Sequence, residues 1–177
     1  MRRRRRPSAV APEDGGRQRL SHAAKLSRVH IRPADPADAS DIRELVQRAY
    51  GHYVERIGGR PGPMDSDYAE QVAQGLVSVA DEDGVVVGLI VLVREPDHLL
   101  IENIAVEPEW QGEGIGRTLL AFAEGRAREG GTPALRLYTH VLMTENLALY
   151  SRLGYEETHR RTDHGFERVF LAKRLDR

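Results

Sequence analysis

The sequence of 177 residues contains no cysteine. This absence excludes a disulfide scaffold, thiolate zinc sites, iron–sulfur ligation and a cysteine nucleophile. The seven histidines show no paired ligand spacing, so no metal site is expected. No stretch approaches the ~20 consecutive apolar residues of a membrane-spanning helix, and we therefore expect no membrane partner.

The composition is that of a folded domain of ordinary size. Hydrophobic residues make up 40% of the chain and charged residues 30%, which is enough apolar surface for one core and excludes wholesale disorder. The formal net charge is −1, which argues against a dedicated nucleic-acid-binding protein.

The charge is distributed unevenly along the chain. Residues 1–27 carry eight basic and two acidic side chains, whereas residues 28–177 carry a net charge of −7. The first segment opens with five arginines and is interrupted by Pro7 and Pro12, so it predicts a disordered basic N-terminal extension. We interpret it as a solvated tail or an upstream start; the alternative is an arm for nucleic acid or an anionic surface, and nucleic acid is not the favoured partner. The apolar stretch after the arginines is too short for a secretory signal, which predicts a soluble, cytoplasmic protein.

Hydrophobic periodicity in residues 28–177 predicts one domain with the element order β-α-α-β-β-β-α-β-α-β-β. Such an order is typical of an α/β fold, here a mixed sheet with helices on both faces. The predicted strands are 29–32, 76–80, 85–93, 99–106, 134–140, 156–161 and 166–174, and the predicted helices run from 38 or 40 to about 57, from 65 or 66 to 75, 115–128 and 144–153.

A glycine-rich turn between the strand ending at Val106 and the next helix is the most informative local pattern. Gly112, Gly114 and Gly116 allow successive backbone N–H groups to converge on an anion at a helix N-terminus, which predicts a phosphate-binding loop. A Walker A loop is excluded because its lysine would be Arg117. A dinucleotide fingerprint fails because the glycines are spaced two apart.

Two motifs together indicate a known family. The loop fits Gln-x-x-Gly-x-Gly at Gln111, Gly114 and Gly116, and the later stretch from Tyr150 to Tyr155 is similar to Tyr-x-x-x-Gly-Phe with a tyrosine at the last position. The chain thus resembles the GCN5-related N-acetyltransferase (GNAT) superfamily over about residues 28–177.

The resemblance implies a splayed central sheet, acetyl-CoA as cofactor, and direct acetyl transfer to a primary amine in a ternary complex. Without cysteine, a route through an acetyl-cysteine is impossible. The acceptor would be a small-molecule or peptide amine, and a homodimer is left open. The alternative is a non-catalytic acyl-CoA-binding or regulatory module on the same fold.

The resemblance also implies which residues bind the cofactor. Backbone N–H groups near Ala105 or Val106 would stabilise the oxyanion. An asparagine often stands seven residues before the tyrosine in the family; here that position is Met143, and Asn146 is expected to reach the pantetheine arm instead. The predicted cofactor-binding residues are Ala105, Val106, Gln111, Gly112, Glu113, Gly114, Ile115, Gly116, Arg117, Thr118, Asn146 and Tyr150.

Two side chains are the candidates for proton transfer. Glu102 is the predicted general base: it lies four residues before Val106, so a regular strand would point both side chains to one face. The alternatives for the base are His140 and water. Tyr150 resembles the family's general acid, whose phenol returns a proton to the leaving thiolate.

The resemblance implies an acceptor site formed by the first two helices and the last hairpin, and residues of the strand at 134–140 are expected to line it as well. An aromatic-walled pocket is predicted, with Arg56 or Arg60 near an acceptor carboxylate, whereas the net charge of −7 favours a cationic amine. The predicted substrate-binding residues are Tyr50, Tyr53, Tyr68, Tyr138 and His140, and His52, Met64 and Asp67 are offered by the same segments.

Overall fold

The computed structural model describes residues 28–175, and the predicted N-terminal extension lies outside this part of the chain. One seven-stranded sheet runs through it in the order β1-β2-β3-β4-β5-β7-β6. The strands are β1 (Val29–Pro33), β2 (Val77–Glu82), β3 (Val85–Arg94), β4 (Leu99–Val106), β5 (Ala134–His140), β6 (Glu156–Asp163) and β7 (Phe166–Arg174). The helices are α1 (Ala39–Gly51), α2 (Tyr53–Ile57), α3 (Tyr68–Ala73), α4 (Ile115–Glu129) and α5 (Thr144–Arg152), with 3₁₀ turns at Pro36–Asp38, Gly62–Asp65 and Pro108–Trp110.

The predicted α/β fold with a mixed sheet is confirmed. All neighbouring strands are antiparallel except β4 and β5, which are parallel and connected by α4. Three helices rather than two precede β2, because the first predicted helix is divided at His52 into α1 and α2. His52 keeps helical dihedral angles (φ −70°, ψ −14°), so the chain follows one helical path through the division.

Two hairpin turns are shorter than predicted. Asp83 and Gly84 have φ angles of 50° and 88°, and His164 and Gly165 have φ angles of 48° and 81°. Two consecutive residues with positive φ are the signature of the type I′ turn, whose twist matches that of the flanking strands. As a result, β2 ends at Glu82, directly before Asp83, and β6 ends at Asp163, directly before His164.

Each face of the sheet carries its own hydrophobic core. Helix α1 buries Ile42, Leu45 and Val46 on one face, together with residues of α3. Helix α4 buries Leu119 and Leu120 on the other face, together with residues of α5. The predicted helices on both faces are therefore confirmed, and the sheet between them positions the residues of the site.

The cleft of the molecule arises where β4 and β5 separate. The two strands pair only through Leu99–Ile101 and Leu135–Leu137. Beyond Ile101 they no longer pair, so within residues 28–175 the second half of β4 has no partner strand on that side. A groove therefore opens in the middle of the sheet, at the point where β4 leads into the glycine-rich turn.

A β-bulge at Glu102 changes the direction of the side chains along β4. Val91 of β3 pairs with Asn103 and the next residue pairs with Ile101, so Glu102 is an extra residue without a cross-strand partner. Ile101 consequently packs in the α4 core, whereas Glu102 and Asn103 contact α3. Val106 packs toward the α4 core, so the expectation that Glu102 and Val106 share one face is wrong.

Electrostatic contacts fasten β1 to the sheet. Arg32 donates to Asp38 at 2.7 Å and to Asp81 at 2.8 Å. The hydrogen bond from Arg32 lowers the pKa of Asp38 despite partial burial. For Asp81, burial opposes ionisation, but hydrogen bonds from the Gly84 N–H and from Arg32 outweigh it and lower the pKa.

We predict that Asp81→Asn lowers the free energy of unfolding at pH 7 by about 2 kcal/mol, because it removes the more deeply buried of the two carboxylates that Arg32 binds. A carboxylate whose pKa is lowered by folding stabilises the protein above its unfolded pKa and loses that effect as the pH falls through its folded pKa. The difference between wild type and variant, measured by urea unfolding, should therefore shrink below about pH 4.

The matched control is Asp83→Asn. The Asp83 side chain is 70% exposed and its ion pair with Arg28 spans 3.5 Å, so the free energy of unfolding of this variant should stay close to that of the wild type. Equal losses in the two variants, or a pH-independent loss in Asp81→Asn, would contradict the assignment.

Candidate active site

A cofactor-side groove lies at the end of β4 where the sheet opens. Its volume is about 770 Å³. All of the predicted cofactor-binding residues line it except Ile115, whose side chain is only 1% exposed and packs in the core beneath the loop. The lining residues are Ala49, Tyr50, His52, Tyr53, Ile104, Ala105, Val106, Trp110, Gln111, Gly112, Glu113, Gly114, Gly116, Arg117, Thr118, Glu145, Asn146, Leu149, Tyr150 and Arg152.

The glycine-rich turn has the conformation that an anion-binding loop requires. Gly112 and Gly114 have φ angles of 83° and 92°, which side-chain-bearing residues rarely adopt. Helix α4 begins directly after Gly114, so its first N–H groups have no intrahelical acceptor and face the groove end of the loop. Gln111 donates to the Val106 carbonyl at 3.1 Å and thereby ties the loop to the end of β4.

An ion pair anchors the start of this loop to α1. Arg48 donates to both carboxylate oxygens of Glu107, at 2.9 and 3.0 Å. Such a bidentate pair fixes direction as well as distance. The loop is thus held at its entry by Glu107 and in its middle by Gln111, which restricts its movement before any ligand binds.

Two arginines give the groove a positive character. Arg117 and Arg152 line it, and neither forms an ion pair within residues 28–175. Unpaired guanidinium groups are suited to bind phosphate oxygens. Arg117 is predicted from the loop motif, whereas Arg152 is not. Arg152 could have been identified from the sequence by its position two residues after Tyr150, in the last turn of the same helix.

An acceptor-side pocket adjoins the groove and shares Tyr50, Ile104, Asn146 and Tyr150 with it. The remaining lining comes mainly from the bulged part of β4, from β5 and from the start of β7. These residues are Ile57, Pro61, Gly62, Pro63, Ile101, Glu102, Asn103, Leu137, Tyr138, Thr139, His140, Met143, Phe166 and Arg168. Of the predicted substrate-binding residues, Tyr50, Tyr138 and His140 lie here.

Tyr150 stands at the junction of the two pockets. Its side chain is 6% exposed, and its hydroxyl forms no hydrogen bond within the described residues. Burial raises the pKa of Tyr150 well above its usual range. The phenol therefore remains protonated at all working pH values and has a donor available for a ligand atom placed between the pockets.

Glu102 is held by an amide that the sequence does not indicate. Gln71 of α3 donates from Nε2 to Glu102 Oε2 at 2.9 Å. The other amide atom of Gln71, Oε1, is buried without a hydrogen-bond partner among the described residues. The contact exists because the bulge turns Glu102 toward α3, and neither a motif nor a periodic pattern identifies Gln71 beforehand.

A buried tyrosine–asparagine network supports the wall of the pocket. Tyr50 donates to Asn103 Oδ1 at 2.6 Å, Asn103 Nδ2 donates to the Tyr68 hydroxyl at 2.9 Å, and Tyr68 donates to the Pro63 carbonyl at 2.8 Å. Tyr68 is 1% exposed and lines neither pocket, so it supports the wall rather than facing a ligand. Asn103 has a sequence signal, since it interrupts an otherwise apolar strand.

Tyr53 and Asn146 are two further predicted site residues, and the sequence did not specify which pocket each of them lines. Tyr53 lines the cofactor-side groove and not the acceptor pocket, with its ring 3.9 Å from that of His52. Asn146 donates from Nδ2 to the sulfur of Met143 at 3.7 Å and lies at the junction of both pockets.

His140 is held in an orientation that weakens its case as the base. Its Nδ1 accepts the backbone N–H of Leu142 at 3.1 Å, so in the neutral ring the proton is assigned to Nε2. Burial lowers the pKa of His140, which keeps the ring neutral near pH 7. With Nδ1 occupied and Nε2 protonated, the ring has no free lone pair for a proton of the substrate.

The arginines expected near an acceptor carboxylate are engaged elsewhere. Arg56 pairs with Glu145 at 2.6 Å, and Arg60 pairs with Asp65 at 3.1 Å. Neither lines the acceptor pocket; Arg168 of β7, which was not predicted, is the arginine that does. Met64 is buried in the core beside α1, and Asp67 caps α3, so neither reaches the pocket.

The family model that matches this sequence agrees with the geometry. Residues 39–155 match the model of the Acetyltransferase (GNAT) family. The chain belongs to the GNAT family.

The chain is also similar to known acetyltransferases in sequence and in fold. The chain is 29% identical over 146 residues, 73% of its length and 88% of the relative's, to an aminoglycoside N(6′)-acetyltransferase type 1 of Stenotrophomonas maltophilia. Its fold matches that of the PaiA N-acetyltransferase of Thermoplasma acidophilum in complex with coenzyme A (TM-score 0.68, 20% identity, 83% of this chain and 99% of that one). It also matches YncA of Salmonella typhimurium, solved with its cofactor acetyl-CoA (TM-score 0.66, 25% identity, 84% and 95%).

The cofactor of this GNAT protein is acetyl-CoA, and the residues present fit it. Two positive-φ glycines shape the anion-binding turn, and Arg117 and Arg152 are available for phosphates. No cluster of three or more metal-ligating side chains occurs in residues 28–175. Within the same part of the chain, no helix is long and apolar enough to cross a membrane.

We predict that Gly116→Glu abolishes coenzyme A binding, weakening the affinity at least ~10²-fold, because a carboxylate in the loop opposes the pyrophosphate by bulk and like charge. Isothermal titration calorimetry with coenzyme A measures this directly.

Gly116→Ala is the control, because an added Cβ would meet Val106 Cγ2 at an ordinary 3.8 Å. The alanine variant should bind nearly as wild type. Unchanged affinity in a folded Gly116→Glu variant would remove the loop from the cofactor site.

Proposed function

We propose that this GNAT protein transfers the acetyl group of acetyl-CoA directly to a primary amine within a ternary complex. The observation that carries this proposal is the junction of the two pockets at Tyr50, Ile104, Asn146 and Tyr150. A donor in the groove and an acceptor in the pocket would meet there without an enzyme-bound acetyl intermediate. The absence of cysteine removes the thiol that such an intermediate would commonly use.

The amine must first lose a proton. An alkyl ammonium with a pKa near 10.4 is neutral only about once in a few thousand molecules at pH 7. Glu102 lines the acceptor pocket and has one carboxylate oxygen held by Gln71, which leaves the other oxygen to accept a proton. Among Glu102, His140 and water, Glu102 is the base that the geometry favours.

The thioester carbonyl then needs a donor for its developing negative charge. Bound acetyl-CoA supplies the activated acetyl group, and coenzyme A leaves as the thiol. Within residues 28–175, β4 has no partner strand on the β5 side beyond Ile101, which supports our proposal that backbone N–H groups near Ala105 or Val106 stabilise the oxyanion. One such donor contributes about 3 kcal/mol to lowering the barrier.

The leaving thiolate requires a proton as the C–S bond breaks and the new C–N bond forms. Tyr150 has a free, protonated hydroxyl at the junction of the pockets and is the proposed general acid. Burial that raises the pKa of Tyr150 also disfavours the thiolate anion beside it, so proton transfer between them remains feasible.

We predict that Tyr150→Phe lowers turnover by about 10²–10⁴-fold, since it removes the acid while keeping the ring. The thermal midpoint should change little, because the hydroxyl makes no internal hydrogen bond. Free-thiol release with an amine panel, normalised to folded protein, measures the loss.

A Tyr150→Phe variant with lost stability and near-normal turnover would show instead that the tyrosine only packs the core. Coenzyme A binding by the wild type without turnover of any amine would favour the non-catalytic acyl-CoA-binding alternative.

We predict that Glu102→Gln lowers the rate strongly at pH 7 and recovers part of it at high pH, where more of the amine is already neutral. His140→Gln should have a much smaller effect. A pH–rate profile of each variant distinguishes them. Equal impairment of Glu102→Gln at every pH would mean that the residue positions substrate or supports the fold, and a crippled His140→Gln would make His140 the base.

Matched variants on α3 test the contact that orients Glu102. Gln71→Leu removes the N–H donor and should reproduce part of the Glu102→Gln loss in kcat. Gln74→Leu, at the residue directly after the same helix, removes only an exposed hydrogen bond to Glu70 and should leave kcat unchanged.

A further inference from the structure

The charges that line the acceptor pocket are few. Glu102 is the only acidic side chain in its lining among the described residues, and Arg168 is the only guanidinium. Arg168 is 15% exposed and donates to Asp163 at 2.9 Å, so its charge is already matched. The pocket therefore offers one anionic group for a substrate cation and no unmatched cation for a substrate carboxylate.

Three acidic side chains in the segments flanking the pocket are also neutralised. Each of the three pairs with an arginine at hydrogen-bond distance. These pairs are Glu145–Arg56 at 2.6 Å, Asp65–Arg60 at 3.1 Å and Asp163–Arg168 at 2.9 Å. A second or third ammonium group on a substrate would have to displace an arginine to bind any of these three carboxylates.

Most polar atoms of the pocket wall already have partners within the protein. Tyr50 and Asn103 bond to each other, Thr139 donates to the sulfur of Met143, and His140 Nδ1 accepts the Leu142 N–H. Much of the remaining wall is apolar or aromatic, as at Ile57, Leu137 and Phe166. Such a wall recognises its ligand through apolar contact and offers little to hydroxyl-rich groups.

The pocket is also narrow. Its volume is about 70 Å³, against about 770 Å³ for the cofactor-side groove. An unbranched aminoalkyl end fits this space, whereas an amine on a carbon that also bears a carboxylate adds a branch and an unmatched charge.

We propose that the acceptor is a monoamine with its amino group on an unbranched alkyl end of an apolar or aromatic body, and that polycationic amines and free amino acids are poor substrates. This inference rests on the proposed acetyl transfer and names the substrate class for the same pocket. Each additional ammonium would be desolvated beside Arg168 without an anionic partner, which is costly.

The proposal separates this chain from its relative named for aminoglycosides. Aminoglycosides carry several ammonium groups on hydroxylated rings, and each ammonium requires an acidic or hydrogen-bonding partner. Here one carboxylate, Glu102, is available, and the wall beside it is apolar. We therefore expect aminoglycosides to be discriminated against despite the overall 29% identity.

The test is the specificity constant, kcat/KM, of the wild-type protein for a defined amine panel with acetyl-CoA. The probes are hexylamine, 2-phenylethylamine, spermidine, kanamycin and alanine. The two monoamines should exceed the other three by about 10–10²-fold, because each further charged group of the other three would lose its water without gaining a partner of opposite charge.

Higher kcat/KM for spermidine, kanamycin or alanine would overturn this inference and leave acetyl transfer standing. Coenzyme A binding without turnover of any of the five amines would instead contradict the proposed function itself. The two failures are therefore distinguishable in one experiment.

A charge-insertion variant tests the physical cause. Ile57→Asp places a second carboxylate in the pocket wall and should lower kcat/KM for hexylamine while raising it for spermidine, so that the ratio moves at least ~10-fold. Val85→Asp adds the same charge at a position that is 60% exposed and lines neither pocket, and it should leave the ratio unchanged. The electrostatic explanation would be overturned if a folded Ile57→Asp variant left the spermidine-to-hexylamine ratio of kcat/KM unchanged, or if Val85→Asp changed it equally. If Ile57→Asp does not fold, the wild-type panel decides the proposal.

Discussion

The divergence of β4 and β5 is the constraint on which the site depends. A parallel pair in the middle of a sheet is ordinarily continuous, but here it ends after three residues, at Ile101 and Leu137. The backbone groups of β4 beyond that point have no partner strand, and the two strands form opposite walls of a cleft. Because both faces of the sheet are packed by helices, this opening lies in a rigid frame rather than in a mobile loop.

The bulge at Glu102 determines which side of the cleft the Glu102 carboxylate faces. Without the extra residue, β4 would alternate regularly and Glu102 would not lie beside Gln71. With it, the carboxylate contacts α3 and lines the acceptor pocket, while Val106 packs on the other face near the cofactor loop. One irregular residue thus places an acid on the acceptor side and the loop on the donor side of the same strand.

The cofactor half of the site is predictable from sequence because its determinants are local. Gly112 and Gly114 define a turn through their own backbone conformations, Gly116 lies in the first turn of α4, and Tyr150 follows at a family spacing on the next helix. Strands β4, β5 and β7 likewise begin and end where periodicity places them.

The acceptor half depends on contacts between distant segments and was predicted less well. Whether Arg56 and Arg60 are free depends on Glu145 and Asp65, and the role of Tyr68 depends on Asn103, 35 residues away. The side-chain direction of Glu102 depends on a bulge that leaves no mark in the hydrophobic pattern. Sequence periodicity carries no information about such pairings, so these residues are resolved only once the chain is folded.

The central claim is that donor and acceptor meet at Tyr150, and a bisubstrate analogue tests it most directly. Coenzyme A joined through an S-acetyl bridge to hexylamine occupies both pockets at once if they connect as described. The dissociation constant of this analogue, measured by calorimetry, should be at least ~10²-fold below that of coenzyme A alone, since the second half binds without a separate loss of translational freedom. An affinity equal to that of coenzyme A would contradict the account, because the acceptor half would then gain nothing from a pocket beyond the junction.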